Sequence, residues 1–177
     1  MAQINARGGI HGRALQLLMM DDAYEPERTA ANVRQMLAQG QVFALLSCFG
    51  TPNNQAILPL VEESGIPYVA PLSGAMSLRK GTRNVFHVRA SYTDEAQRLA
   101  QKLVSIGITE LVVVYQDTAF GREFLADVTN AMAAAKQPVP KTFKLDAQGA
   151  QVADVVGKAV AAKPNAVLLG TAGDITA

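Results

Sequence analysis

Continuous apolar runs that alternate with amphipathic, helix-like segments are the feature that most constrains the fold of this chain. The strand candidates occupy residues 14–20, 42–47, 67–71, 85–88, 111–115, 141–145 and 166–170, and several of them are rich in Val, Leu and Ile. Strands that are apolar on both faces are typical of parallel sheets covered by helices. Helical periodicity is clearest at residues 26–38, 94–106 and 152–160. The alternation predicts an α/β fold of open, mostly parallel sheets with helices on both faces.

Local signals predict where several helices begin and end. Glycines follow helical patterns at Gly40, Gly65 and Gly107. Glycine readily adopts the left-handed conformation that ends many helices, so each is a predicted helix end. Thr93 is the predicted N-cap of helix 94–106. Thr51 is the predicted N-cap of another helix, with Pro52 as its first residue. Residues 72–81 carry no long helical pattern. This break predicts a boundary between two lobes at about Ala90.

The charge and the metal-ligating residues exclude several classes of protein. The chain has 177 residues, 16 of them basic and 15 acidic, for a net charge of +1. This balance gives no electrostatic basis for binding nucleic acid or a membrane surface. A single cysteine, Cys48, and two distant histidines, His11 and His87, leave too few ligands for a zinc site. We therefore expect no metal and no cofactor. No apolar run approaches the roughly 20 residues that a membrane-spanning helix needs.

Several short motifs follow one another in a recognisable order and spacing. They are Asn5-Ala6 with Gly8-Gly9-Ile10, Asp21-Asp22, Gly65-Ile66-Pro67, and Asp117 with Phe120-Gly121. In this arrangement the chain resembles the branched-chain amino-acid (Leu/Ile/Val) binding proteins, the type 1 periplasmic solute receptors of ABC importers.

The resemblance implies a fold like that of type 1 periplasmic binding proteins, with two lobes that are both incomplete. Residues 1–89 would form the first lobe without its first strand, and residues 90–177 the second lobe without its C-terminal part. A missing strand would leave a gap beside residues 14–20, so self-association of the chain is expected. The protein would be periplasmic, with a leader outside this sequence. It would catalyse no reaction, but would close on a solute and present it to the membrane subunits of an ABC permease.

Polar and aromatic residues follow four predicted strands, where open α/β sheets bind ligands. After residues 42–47, a helix beginning near Thr51 could hold a carboxylate at its positive end, or could simply be a capped helix. The resemblance implies that Thr51 grips the carboxylate of an amino acid or related solute. It also implies ligand contacts at Leu72, Ser73 and Gly74, at Phe120, where relatives usually have a tyrosine, and at Ala172. Because Phe120 lacks that hydroxyl, an apolar or aromatic solute side chain is expected.

Two alternative functions remain at this point. The same fold serves in receptor or regulator domains that sense amides or amino acids. Paired acids at a strand end, here Asp21-Asp22, can hold Mg²⁺ in an enzyme, although loop acids after a strand are common. Residues 170–174 could be read as a weak phosphate loop, but they lack the lysine and the glycine spacing of a P-loop.

Overall fold

The chain folds as an alternating succession of helices and parallel strands. A computed structural model describes residues 1–173, and positions 174–177 lie outside the described part. The α-helices are α1 (Ala2–Ala6), α2 (Pro26–Ala38), α3 (Thr51–Ser64), α4 (Tyr92–Ser105), α5 (Ala119–Ala134) and α6 (Val152–Ala161). The strands are β1 (Leu45–Leu46), β2 (Tyr68–Val69), β3 (Val85–Phe86), β4 (Leu111–Gln116), β5 (Lys141–Leu145) and β6 (Ala166–Gly170). A short 3₁₀ helix, Met76–Leu78, occupies the region without a long helical pattern.

The strands form two parallel sheets, with the orders β1-β2-β3 and β5-β4-β6. The predicted α/β class with mostly parallel sheets is thereby confirmed. Parallel neighbours require a crossover connection, and the helices between the strands supply it. Because all strands of one sheet point the same way, their carboxyl ends meet at one edge.

Strand β4 shows why the second sheet needs helices on both faces. Its residues Leu111 and Val113 are buried against α4 and α5. Val112 and Val114 point to the opposite face and are buried against α6. Successive side chains of a strand alternate between faces, so a continuous Val and Leu run must be covered on both sides.

The first sheet is packed on one face by α2 and α3. Its core cluster joins Ala30 and Val33 of α2, Ile57 and Val61 of α3, and the strand residues Leu45 and Tyr68. On the other face, Leu46 and Phe86 are each about half exposed. The strands of this sheet are only two residues long, shorter than the predicted strands 42–47, 67–71 and 85–88.

Residues 14–20 do not form the predicted strand. They are extended, and within the described part of the chain no strand pairs with them. Leu15 is instead held by the side chain of Asn5, whose amide donates to the Leu15 carbonyl and accepts from the Leu15 N–H, both at 2.8 Å. Apolar composition was the basis of the strand prediction, but a strand also requires a neighbour for its backbone hydrogen bonds.

The N-cap of α4 is Ser91 rather than the predicted Thr93. The Ser91 hydroxyl accepts from the N–H of Asp94 at 3.1 Å, and the Asp94 carboxylate accepts from the N–H of Ser91 at 3.1 Å. This reciprocal pair is a capping box, which satisfies two backbone donors at once. Hydrogen bonds from Ser91 hold the pKa of Asp94 below its usual value. Thr93 donates instead to Asp127 of α5, at 2.8 Å.

Candidate functional site

A cleft of about 350 Å³ lies at the carboxyl ends of both sheets. Loops from the two halves of the chain line it together. The lining residues are Tyr24, Phe49, Gly50, Thr51, Leu72, Tyr92, Phe120, Thr171, Ala172 and Gly173. Ligands of open α/β sheets bind at this edge, so the cleft is the candidate site.

Thr51 lies at the start of α3 with its hydroxyl joined to Ser73. The two oxygens are 2.8 Å apart, and both side chains are almost fully buried. Thr51 is the first helical residue, so its predicted role as N-cap is wrong. The N-cap is Gly50, which has φ +91°, and a Cβ there would lie 2.4 Å from the ring of Tyr24. Glycine at position 50 therefore permits the backbone conformation that directs the Thr51 hydroxyl toward Ser73.

A buried amide fixes the loop that leads from β1 into α3. Asn54 donates to the carbonyls of Cys48 and Gly50, at 2.9 and 2.6 Å. The hydroxyl of Tyr68 donates to the carbonyl oxygen of the Asn54 side chain. Tyr68 and Asn54 are both fully buried, and burial raises the pKa of Tyr68 far above its usual value. The position of Phe49 and Thr51 in the cleft thus depends on a residue of the neighbouring strand.

Hydrogen bonds to Asp22 hold together the wall of the cleft that the first half of the chain forms. One carboxylate oxygen accepts from Thr29 at 2.8 Å and from Asn53 at 3.2 Å. The other accepts from the N–H of Tyr24 at 2.9 Å, which positions that ring. Asp21 is exposed. Residues 1–173 contain no group of three or more acidic, His or Cys side chains that could hold a metal. The Asp22 carboxylate is thus engaged in hydrogen bonds to the protein itself.

The second wall is built from the start of α5. Thr118 caps this helix by accepting from the N–H of Gly121 at 3.2 Å. A Cβ at Gly121 would lie 2.0 Å from the carbonyl oxygen of Gln116, so only glycine lets α5 begin this close to β4. The Phe120 ring, in the first turn, lies 5.3 Å from that of Tyr92, measured between centroids. The side chain of Gln116 accepts from the N–H of Ala172 at 3.2 Å, which ties the loop after β6 to this wall.

The structure brings four of the predicted ligand residues into the cleft: Thr51, Leu72, Phe120 and Ala172. Ser73 and Gly74 lie behind the lining residues. Ser73 contacts Thr51, and the Gly74 carbonyl accepts from the N–H of Tyr92 at 2.8 Å.

Asp117, a motif residue, lies outside the cleft lining. Its carboxylate binds Arg122 at 2.6 Å and Lys144 at 3.3 Å. The hydrogen bonds from Arg122 and Lys144 hold the pKa of Asp117 below its usual value. Asp174, the last residue of the segment 170–174 that the sequence analysis considered, lies outside the described residues.

The sequence analysis missed three aromatic lining residues, Tyr24, Phe49 and Tyr92. Tyr24 and Phe49 form a pair with ring centroids 5.4 Å apart. Phe49 is 56% exposed although it is a large apolar residue. An aromatic residue in the loop after a predicted strand was the available signal for Phe49. Tyr92 begins α4 some residues after β3, and the packing of α4 against Gly74 brings it to the cleft.

No helix within residues 1–173 combines the length and the apolar character needed to cross a bilayer.

Comparisons with known proteins agree on one family. The profile of the periplasmic binding protein family matches residues 1–177. An amino acid binding protein of Pseudomonas aeruginosa is 26% identical over 129 residues, which cover 72% of this chain and 34% of that protein. The Leu/Ile/Val-binding protein of Escherichia coli K12 is 23% identical over 123 residues, covering 68% of this chain and 33% of that protein.

A substrate-binding periplasmic protein of Ralstonia solanacearum has the same fold, with a TM-score of 0.89 at 32% identity. The match covers 97% of this chain and 49% of that structure. The chain thus spans about a third of the length of the curated relatives and about half of this solved structure.

Proposed function

The chain belongs to the periplasmic binding protein family, whose members bind solutes and are not enzymes, and from that premise we propose that it captures a small carboxylated solute in the cleft. An amino acid or a related acid is the proposed ligand class. The names of the Pseudomonas and Escherichia relatives support this class, since they bind amino acids and Leu, Ile or Val. The observation that carries the proposal is a cleft at the carboxyl ends of two parallel sheets, with the starts of α3 and α5 in its lining.

We propose that residues 1–89 and 90–177 are two lobes that close around the solute. Contacts between them support a closed arrangement. Glu123 of α5 accepts hydrogen bonds from the N–H of Met76 and, at 2.9 Å, from the hydroxyl of Ser77. The bond from Tyr92 to Gly74 adds a second connection. Hinge closure of this kind buries a ligand and changes the outer surface that a partner recognises.

The proposed carboxylate site combines Thr51, Leu72, Ser73 and Gly74, with Phe120 and Ala172 on the opposite wall. The start of α3 supplies backbone N–H groups and the positive end of the helix dipole. When Ser73 donates to Thr51, the hydroxyl proton of Thr51 is available to a ligand oxygen. Ser73 and Gly74 then lie behind the lining residues and position them. Ser73 orients the Thr51 hydroxyl, and Gly74 positions Tyr92.

Replacing Thr51 tests this assignment. Thr51→Val keeps the shape of the side chain and removes its hydroxyl. Thr142→Val makes the same change at an exposed position of β5 and is the control. A hydrogen bond to a charged group is worth about 1.5–3 kcal/mol, so Thr51→Val should weaken leucine or phenylacetate binding about tenfold or more. Titration calorimetry measures the affinities, and thermal melting verifies that both variants fold. Equal affinity of Thr51→Val and the unsubstituted chain would refute the role of Thr51.

We propose that the protein acts in the periplasm and delivers its solute to the membrane subunits of an ABC permease. Sensing of amides or amino acids is the alternative, and it shares the binding step. The two roles differ in the partner of the loaded protein. Co-purification with importer membrane subunits from the native host, dependent on added ligand, supports transport. Capture of a DNA-binding or kinase protein instead supports sensing.

We also propose that this chain associates with itself through residues 14–20. Four apolar side chains of this extended segment are exposed: Leu15, Leu17, Leu18 and Met19, the last at 79%. Unpaired extended backbone beside apolar surface is prone to pair with another chain.

A further inference from the structure

Four aromatic rings face the same cleft, two from each side. Tyr24 and Phe49 form one pair, with centroids 5.4 Å apart and ring planes inclined at 48°. Tyr92 and Phe120 form the other, at 5.3 Å and 58°. Tilted pairs at these distances are the favourable geometry for aromatic contacts. A planar ring held in this cleft would therefore lie among aromatic side chains from both halves of the chain.

Part of this aromatic surface is open to solvent. Phe49 is 56% exposed and its neighbour in the cleft, Leu72, is 48% exposed. Covering such surface releases ordered water, and each Å² of apolar surface buried contributes roughly 25 cal/mol. An apolar body on the ligand is therefore favoured over a polar one.

The cleft lining favours an anion that carries no ammonium group. Among residues 1–173, no Asp, Glu, Lys, Arg or His belongs to the lining. The first turns of α3 and α5 both reach the cleft, through Thr51 and Phe120. The N-terminal end of a helix favours negative charge. A buried ammonium group would need acceptors or a counter-ion, and the described lining residues offer only hydroxyl and carbonyl acceptors.

We propose, on the basis of the function proposed above, that the solute is an aromatic monocarboxylate without an amino group. Its ring lies between the pair Tyr24–Phe49 and the pair Tyr92–Phe120, and its carboxylate lies at the start of α3. The cleft volume of about 350 Å³ suits a ligand with one ring.

Titration of the 177-residue chain with four acids tests the proposal. The probes are phenylacetate, cyclohexylacetate, L-phenylalanine and L-leucine. Phenylacetate should bind most tightly. Cyclohexylacetate has the same charge and a similar size but no aromatic ring, and it should bind between about twofold and tenfold more weakly. Leucine or phenylalanine binding as tightly as phenylacetate would overturn this inference and leave the proposed function intact. Binding of none of the four would overturn both.

Matched variants locate the effect in the cleft. Phe49→Leu removes a ring from the lining, and Phe86→Leu removes one of nearly equal exposure, 54%, from β3 outside it. Phe49→Leu should weaken phenylacetate binding between about twofold and tenfold, and it should reduce the ratio of the phenylacetate affinity to the cyclohexylacetate affinity. Phe86→Leu should change neither the phenylacetate affinity nor that ratio. Phe120→Leu repeats the test on the opposite wall. An unchanged ratio of the two affinities in both Phe49→Leu and Phe120→Leu would overturn the inference, provided that melting curves show folded proteins.

Discussion

Replacing Tyr68 by phenylalanine should destabilise the first half of the chain, because it removes one buried hydroxyl group and the hydrogen bond that this group donates. The Tyr68 hydroxyl donates to the Asn54 side chain, and the Asn54 amide in turn holds the carbonyls of Cys48 and Gly50. Tyr68→Phe preserves the ring in the core and removes only the donor. The carbonyl oxygen of Asn54 is then left in a fully buried position without this partner.

The magnitude follows from that burial. A buried polar atom left without its partner costs about 1–3 kcal/mol of unfolding free energy. For a protein of this size, each kcal/mol lowers the melting temperature by roughly 2–4 °C. Tyr68→Phe should therefore melt about 2–12 °C below the unsubstituted chain. Solute affinity should fall as well, because the loop that carries Phe49 and Thr51 loses its support.

Thermal denaturation followed by circular dichroism at pH 7 is the assay. Tyr115→Phe is the matched control, since Tyr115 also lies on a strand and its hydroxyl makes no hydrogen bond within residues 1–173. Burial raises the pKa of Tyr68 in the folded state, so the unfolded chain ionises first as the pH rises. The unsubstituted protein should thus lose stability above about pH 10, and the difference from Tyr68→Phe should narrow there.

Equal melting temperatures for Tyr68→Phe and the unsubstituted chain would refute the reasoning. So would an equal loss in Tyr115→Phe, because the effect would then belong to any tyrosine hydroxyl and not to the bond with Asn54.

Two further predictions concern the second half of the chain and the exposed segment. Burial and the nearby charge of Glu123 raise the pKa of Asp127, although the hydrogen bond from Thr93 opposes them. The folded state therefore binds a proton more readily than the unfolded one, so Asp127→Asn should melt higher at pH 7 and lose that advantage below about pH 4; a lower melting temperature at pH 7 would contradict this. Light scattering should show a mass above that of one chain, and Leu18→Lys with Met19→Lys should reduce it; a monomer at all concentrations would exclude self-association through residues 14–20.

The second sheet illustrates how much of the fold was predictable from local sequence. The predicted bounds of β5 and β6 match the structure, and β4 is one residue longer than predicted. Helix α2 also has its predicted bounds. These segments combine strong periodicity with clear end signals, so their own residues determine their conformation. Residues 14–20 are also an apolar run, but within residues 1–173 no strand lies beside them. Local sequence carries no information about such a neighbour.

The cleft was predictable only in part, for the same physical reason. Polar and aromatic residues after the strands indicated the edge where the cleft lies, because parallel strands place their carboxyl ends together. The family resemblance then indicated Thr51, Leu72, Phe120 and Ala172, which all line the cleft. The sequence by itself thus determined the parallel α/β architecture and the edge at which the cleft lies. The tertiary structure alone decided that Tyr24 pairs with Phe49. That contact depends on the turn at Gly50 and on packing between segments far apart in the chain, which no local pattern encodes.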